Sequence, residues 1–240
     1  MARVTETEIH GHIVYTDAQY AHRWLDVVGP NAVKWREEFV TFPIDDTSKN
    51  PTAYTTTEVG TCTIALAAGA DAGNCVITTG ATENNGLQIQ ALGEAFKLVQ
   101  GYPFYLGAKF ALSDVSEVDA AVGLSITDTT LLADGATDTF MFRTDDDVSV
   151  MHLIVEQDSA ETLAAGYTLT DGAVVTAEVE YDGEGTATVY INGIEVATVS
   201  DQDANWPSDE YLTPTIAILT GETAANTFTL EWARIFQIRN

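Results

Sequence analysis

From about residue 46 onward, apolar side chains recur at every second position in short runs separated by turn residues, the pattern of successive β-strands. Phe104, Leu106, Ala108, Phe110 and Leu112 alternate with Tyr105, Gly107, Lys109 and Ala111, which predicts a strand with one buried face. Further runs cover Val118 to Ile126, Val148 to Val155, Val174 to Tyr181 and Thr186 to Ile191. Asn192-Gly193 supplies the two positive-φ positions of a type I′ turn. Folding there sets Ile191 opposite Ile194 and Val189 opposite Val196 on one face, with Tyr190 and Glu195 on the other. The last strand, Thr227 to Ile238, carries Phe228, Leu230, Trp232, Phe236 and Ile238 on one parity. Arg234 interrupts that stripe, as a residue at a bulge or a sheet edge would. About a dozen strands with no helical period between them predict an all-β, two-sheet antiparallel jelly-roll sandwich over residues 46–240.

Residues 1–45 read differently. Thr16-Asp17-Ala18-Gln19 has the form of a capping box, and Ala21, Trp24, Leu25 and Val28 follow at helical spacing up to Gly29-Pro30. This predicts a short helix over 17–28 within an N-terminal extension. Six aromatic residues crowd into the segment: Tyr15, Tyr20, Trp24, Trp35, Phe39 and Phe42. So short a piece cannot bury them against itself, so they pack on the main domain or on a partner.

Charge narrows the partners. The 240 residues hold 36 acidic and 10 basic side chains, a formal net charge of −26. Such a surface repels phosphate backbones and anionic lipid, which argues against nucleic-acid and membrane partners, and it suits salty water that screens self-repulsion. Residues 1–45 carry a net −3 and residues 46–240 a net −23. The extension is therefore the part least repelled by another acidic surface, and Tyr20, Trp24, Trp35 and Phe39 are its candidate docking anchors. The competing expectation is that the segment caps an open end of the sandwich. No apolar stretch has the form of a secretory signal or a membrane span. Cys62 and Cys75 are too few for a disulfide framework; they flank one hairpin and are expected as free thiols.

Candidate chemistry is sparse, and no catalytic residue is expected. Glu117-Val118-Asp119 resembles part of the E-x-D-x-E or E-x-D-x-x-E strand of jelly-roll glycan hydrolases, but Ala121 or Val122 stands where the last carboxylate belongs. His10-Gly11-His12 lacks further ligands at useful spacing, and His152 sits in an apolar run as a structural histidine would. Asp145-Asp146-Asp147 reads as a solvated turn; calcium there is not excluded, and no other cofactor is implied. Trp206 and Tyr211, in the loop NWPSDEYLTP, and Tyr167 are the candidate surface for stacking on a sugar, with capping of the core as the alternative.

Several stretches together resemble the concanavalin A-like (laminin-G-like) jelly roll. They are Asn85-Gly86-Leu87 through Phe96-Lys97-Leu98, Tyr105 to Phe110, Val122-Gly123-Leu124-Ser125, Asp138 to Phe142, the Val189–Gly193 hairpin and the closing LEWARIFQIR, spread over residues 80–240. The flavour is similar to jelly-roll proteins among tailed-bacteriophage structural genes. That resemblance implies a non-enzymatic capsid decoration protein on a virion assembled in the host cytoplasm. Its expected partners are the major capsid protein or another virion protein, and further copies of itself. The alternative is a lectin-like module for host attachment, whose family metal ligands do not map onto this chain.

Overall fold

The computed structural model describes residues 4–41, 53–67, 73–130, 136–145 and 147–239. Phe42 and Asp146 lie outside them. Among the described residues the chain is all β, with no helix. The N-terminal part forms Val4–Ile9 (β1), His12–Asp17 (β2), Trp24–Val28 (β3) and Ala32–Glu37 (β4). Tyr54–Val59 (β5), Cys62–Leu66 (β6), Cys75–Thr79 (β7), Gly86–Ala91 (β8), Phe104–Leu112 (β9) and Val118–Ser125 (β10) follow. Then come Thr139–Thr144 (β11), Val150–Gln157 (β12), Ala160–Thr168 (β13) and Val175–Tyr181 (β14). Thr186–Ile191 (β15), Ile194–Ser200 (β16), Thr213–Thr220 (β17) and Thr227–Ile238 (β18) complete the chain.

Two antiparallel sheets face each other. One has the order β13-β12-β11-β10-β17-β8-β5, the other β16-β15-β14-β9-β18-β7-β6. Between them lies a single core built from alternate residues of both, including Leu106, Phe110, Val122, Phe140, Leu153, Val179, Ile216 and Phe228. The expected strands at 104–112, 118–126, 174–181, 186–191 and 227–238 are all present, as is the hairpin turn, with φ of 52° at Asn192 and 78° at Gly193. One register differs. A bulge at Val189/Tyr190 sets Val189 opposite Ala197, so Val196 is left exposed.

A second bulge, between Leu230 and Trp232, reorganises the last strand. The extra residue flips the side-chain parity. Phe228 and Leu230 point into the sandwich, and beyond the bulge Ala233 and Ile235 take that role. Trp232, Arg234, Phe236 and Ile238 therefore face the opposite side. The expected single stripe is two half-stripes, one on each face. The bulge also frees one edge of β18, which pairs with β7 over 227–230 and with β4 over 233–238.

The outer face so created is covered by a third sheet, β1-β2-β3. Val14, Trp24 and Val27 from that sheet close over Tyr105, Phe236 and Ile238 in a second core. This is why β9 is buried on both faces and not on one. It also replaces the expected helix over 17–28. Asp17 forms an Asx turn, its carboxylate accepting from the Gln19 N–H at 2.8 Å. A bulge at Leu25 then places Trp24 opposite Thr16 and Val27 opposite Val14. Both point inward three residues apart, a spacing that imitates a helix face. With β4 inside one of the main sheets, the boundary near residue 45 separates no independent arm.

Removing residues 1–30 would uncover Tyr105, Phe236 and Ile238. At about 1.5–3 kcal/mol for each large apolar side chain exposed, the loss is several kcal/mol. The truncated protein is expected to melt on the order of 10 °C lower or more and to aggregate on heating. An unchanged melting temperature by calorimetry would show that the third sheet is not part of the folded core.

Candidate functional site

The residues expected to dock a partner are spent inside the molecule. Trp24 is 1% exposed, and its indole N–H donates to Glu180 Oε1 at 2.9 Å. Trp35 packs against the main core and donates to the Tyr54 hydroxyl at 3.0 Å. Phe39 is buried in that same core. Tyr20 is half-buried over the β15–β16 turn, where a Cβ on Gly193 would lie 2.2 Å from its ring. The expected docking arm is thus a correction. Its rings find more apolar area on β9, β14 and β18 than any free segment could keep from water.

What holds that layer is a buried polar cluster absent from the sequence reading. Glu178 on β14 is fully buried, on a face that alternation alone would expose. Arg23 grips it bidentately, Nε to Oε1 and Nη2 to Oε2, both at 2.6 Å. The Tyr105 hydroxyl donates to Oε1 at 2.7 Å, and His22 Nε2 lies 3.3 Å from Oε2. Gly107 leaves room for this, since a Cβ there would meet the Tyr105 hydroxyl at 2.3 Å. His22 stacks on Tyr190 with ring centres 3.6 Å apart, and Arg23 lies over the Tyr20 ring at 4.5 Å. Burial by itself would raise the Glu178 carboxyl. The Arg23 and His22 bonds, the Arg23 charge and the Tyr105 bond outweigh it and hold the group at about 2. Neighbouring Glu180 is shifted the other way, pushed up by burial against its Trp24 bond.

The expected sugar platform divides. Trp206 is 2% exposed, packs edge-on against Phe140 at 5.2 Å, and donates to the Leu98 carbonyl at 2.6 Å. It caps the core and presents no face to a ligand. Tyr167 packs at the rim of the core, with Asn192 Nδ2 donating to its hydroxyl at 3.4 Å. Tyr211 alone of the three is well exposed, at 45%. Lys97 Nζ lies 5.0 Å and Arg239 Cζ 5.9 Å from the centre of its ring.

The remaining candidates assemble no catalytic or metal centre among the described residues. Ala121, at the position of the missing carboxylate beyond Asp119, sits in a small apolar cluster with Met141, Ile154 and Ala217. His10 and Gly11 are the positive-φ turn of the β1–β2 hairpin. His12 is buried, its Nδ1 donating to the His10 carbonyl and its Nε2 accepting from Asn31 N–H, so both nitrogens are occupied. His152 is a half-buried strand residue beside Arg143. Asp145 is ion-paired to Arg143 at 2.8 Å. No group of three potential metal ligands occurs among the described residues. Cys62 and Cys75 are buried free thiols at opposite ends of the β6–β7 hairpin, and burial first, then the Glu37 charge, pushes Cys75 up to about 12.

The outer face of the seven-stranded sheet is covered by its own chain around β8, while Leu163 on β13, the partner of Ile154, is exposed. Gln90 donates to the Ile126 carbonyl at 2.8 Å and accepts from Asp128 N–H at 2.9 Å, while Gln88 donates to the Asp128 carbonyl. Thr127 N–H is held by Glu94 at 2.8 Å. Gln88, Gln90, Met141 and Ile154 on this face are each at most 2% exposed.

Similar solved structures share this architecture. A protein of unknown function, SO2946 from Shewanella oneidensis MR-1, superposes with a TM-score of 0.60 at 11% identity over 87% of each chain. The metal-free carbohydrate recognition domain of Emp46p gives 0.57 at 9% identity, covering 83% of this chain and 94% of that one. The fold is that of the lectin-like, concanavalin A-like sandwich. An endo-β-1,4-glucuronan lyase from the fungus Trichoderma reesei also matches, at 0.52 and 9% identity over 84% and 95% of the chains. Identities this low carry the architecture and no activity. No family model matches the chain, and no curated protein is similar to it.

Two measurements test the buried cluster. Arg23→Ala strands a buried carboxylate and is expected to cost about 3 kcal/mol in denaturant unfolding; a loss below about 0.5 kcal/mol would mean the pair is screened by water. The pH dependence has a definite sign. Glu178 is held below its ordinary value of 4.5, so its contribution is complete above about 4.5 and is lost as pH falls through about 2. Glu37, Glu156 and Glu180 are raised by burial, so mild acidification first relieves their cost. The melting temperature is therefore expected to rise as pH drops from neutral toward about 5 and to fall below about 4. In Glu178→Gln the acid fall should be shallower than in the wild type.

Proposed function

We propose that this protein is a non-enzymatic structural module that decorates the outer surface of a phage-like capsid. The observation that carries this reading is the covering of part of each outer sheet face by the chain itself. β1-β2-β3 packs over Tyr105, Phe236 and Ile238 of one sheet, and the 126–130 segment bonds to Gln88 and Gln90 of the other. A net charge of −26 supports accumulation to high concentration before assembly, and it is unsuited to the DNA-filled interior of a head. The partner under this reading is the major capsid protein or another virion protein. Repeated copies on a lattice gain avidity without strong individual contacts. With Trp24, Trp35 and Phe39 buried, docking falls to other residues.

A second reading, a glycan-binding module, is favoured by one feature, the exposed Tyr211 ring flanked by two cations. Particles purified from the virus that encodes the chain separate the two. Decoration predicts many copies per particle by mass spectrometry and immunogold label on intact shells; a protein missing from particles, or reached by antibody only after disruption, ends that reading. Glycan binding predicts a signal on a broad array that Tyr211→Ala abolishes, and silence across the array ends it.

A further inference from the structure

The 36 carboxylates of this chain leave few cations uncompensated. Among the described residues Arg23, Lys34, Arg36, Lys109, Arg143 and Arg234 each lie in an ion pair. The two basic side chains described without one are Lys97 and Arg239, and they converge on the same exposed ring, Tyr211. In so acidic a protein a neighbouring carboxylate would readily compensate either charge. None does. Asp209 offers Lys97 Nζ its backbone carbonyl, at 3.0 Å, and not its side chain.

The group is rigidly built. Trp206 anchors the loop before Tyr211, and a bridge from Leu212 to Phe96 fixes the chain just after it. Gln237, fully buried on β18, clamps Lys97 through both backbone groups, accepting from its N–H at 3.2 Å and donating to its carbonyl at 2.7 Å. Arg239 follows two residues later. Its Nη2 donates to the Ala95 carbonyl, while its Nε is buried with no acceptor. Beside it lies an open cavity of about 380 Å³ lined by Pro30, Asn31, Ala32, Val33, Tyr102 and Arg239. Arg239 thus brings a guanidinium without a carboxylate partner to the wall of an open cavity.

We infer that Tyr211, Lys97 and Arg239, the last of which also lines this cavity, form a subsite for a carboxylate-bearing saccharide such as a uronate. The two cations over the Tyr211 ring receive the carboxylate, and the part of the ring left exposed contacts the sugar. The inference rests on the glycan-binding reading and adds the class of sugar. It places the ligand at an end loop.

Calorimetric titration of the full chain with oligogalacturonate, its carboxyl-reduced neutral counterpart and acetate tests it. The carboxylated sugar is expected to bind at least about tenfold tighter than the neutral one, with affinity falling as salt is raised. Lys97→Gln and Arg239→Gln should erase that preference, and Tyr211→Ala should weaken both sugars, each variant being first checked for wild-type melting. Equal affinity for the two sugars would overturn the carboxylate assignment and leave glycan binding standing. Acetate binding as tightly as the oligosaccharide would reduce the site to an anion site. If neither sugar binds, the uronate inference falls, and the glycan array alone decides the wider glycan-binding reading.

Discussion

A buried carboxylate with its partners decides the shape of this molecule. Glu178 has no exposure to water, and an ion in that position is tolerated only when its oxygens are fully bonded. Arg23, Tyr105 and His22 satisfy it, and two of those three come from the N-terminal turn between β2 and β3. The third sheet therefore cannot leave the sandwich without stranding a charge. Its apolar residues supply the area that binds it, and the Glu178 cluster selects the one register in which it sits.

The bulge in β18 is the backbone counterpart of that constraint. By flipping parity after Leu230 it gives the outer face its own apolar residues, Phe236 and Ile238, without taking Ala233 and Ile235 from the main core. The same displacement opens an edge for β4. One inserted residue thus couples the N-terminal segment to the sandwich twice, by strand pairing and by side-chain burial. The segment behaves as a layer of the domain, and loop ends are among the surfaces left open to partners. Tyr211 is placed at one such end by the burial of Trp206 five residues earlier, so two neighbouring aromatics divide into an anchor and an exposed ring.

Sequence alone determined the sandwich. Period-two alternation in β9 and β10, and the Asn192-Gly193 turn, are local signals whose meaning does not depend on distant residues. Where single-residue bulges intervened, the reading failed. At Leu25 a bulged strand imitated a helix, at Val189 it shifted a hairpin register, and at Glu231 it divided one stripe between two faces. Bulges carry no strong composition signal and reverse every later side chain. Only the tertiary structure decided which rings face inward, that Glu178 is buried, and that Lys97 and Arg239 meet at Tyr211. Those outcomes depend on residues more than a hundred positions apart, such as Arg23 and Glu178, and no local pattern encodes such a pairing.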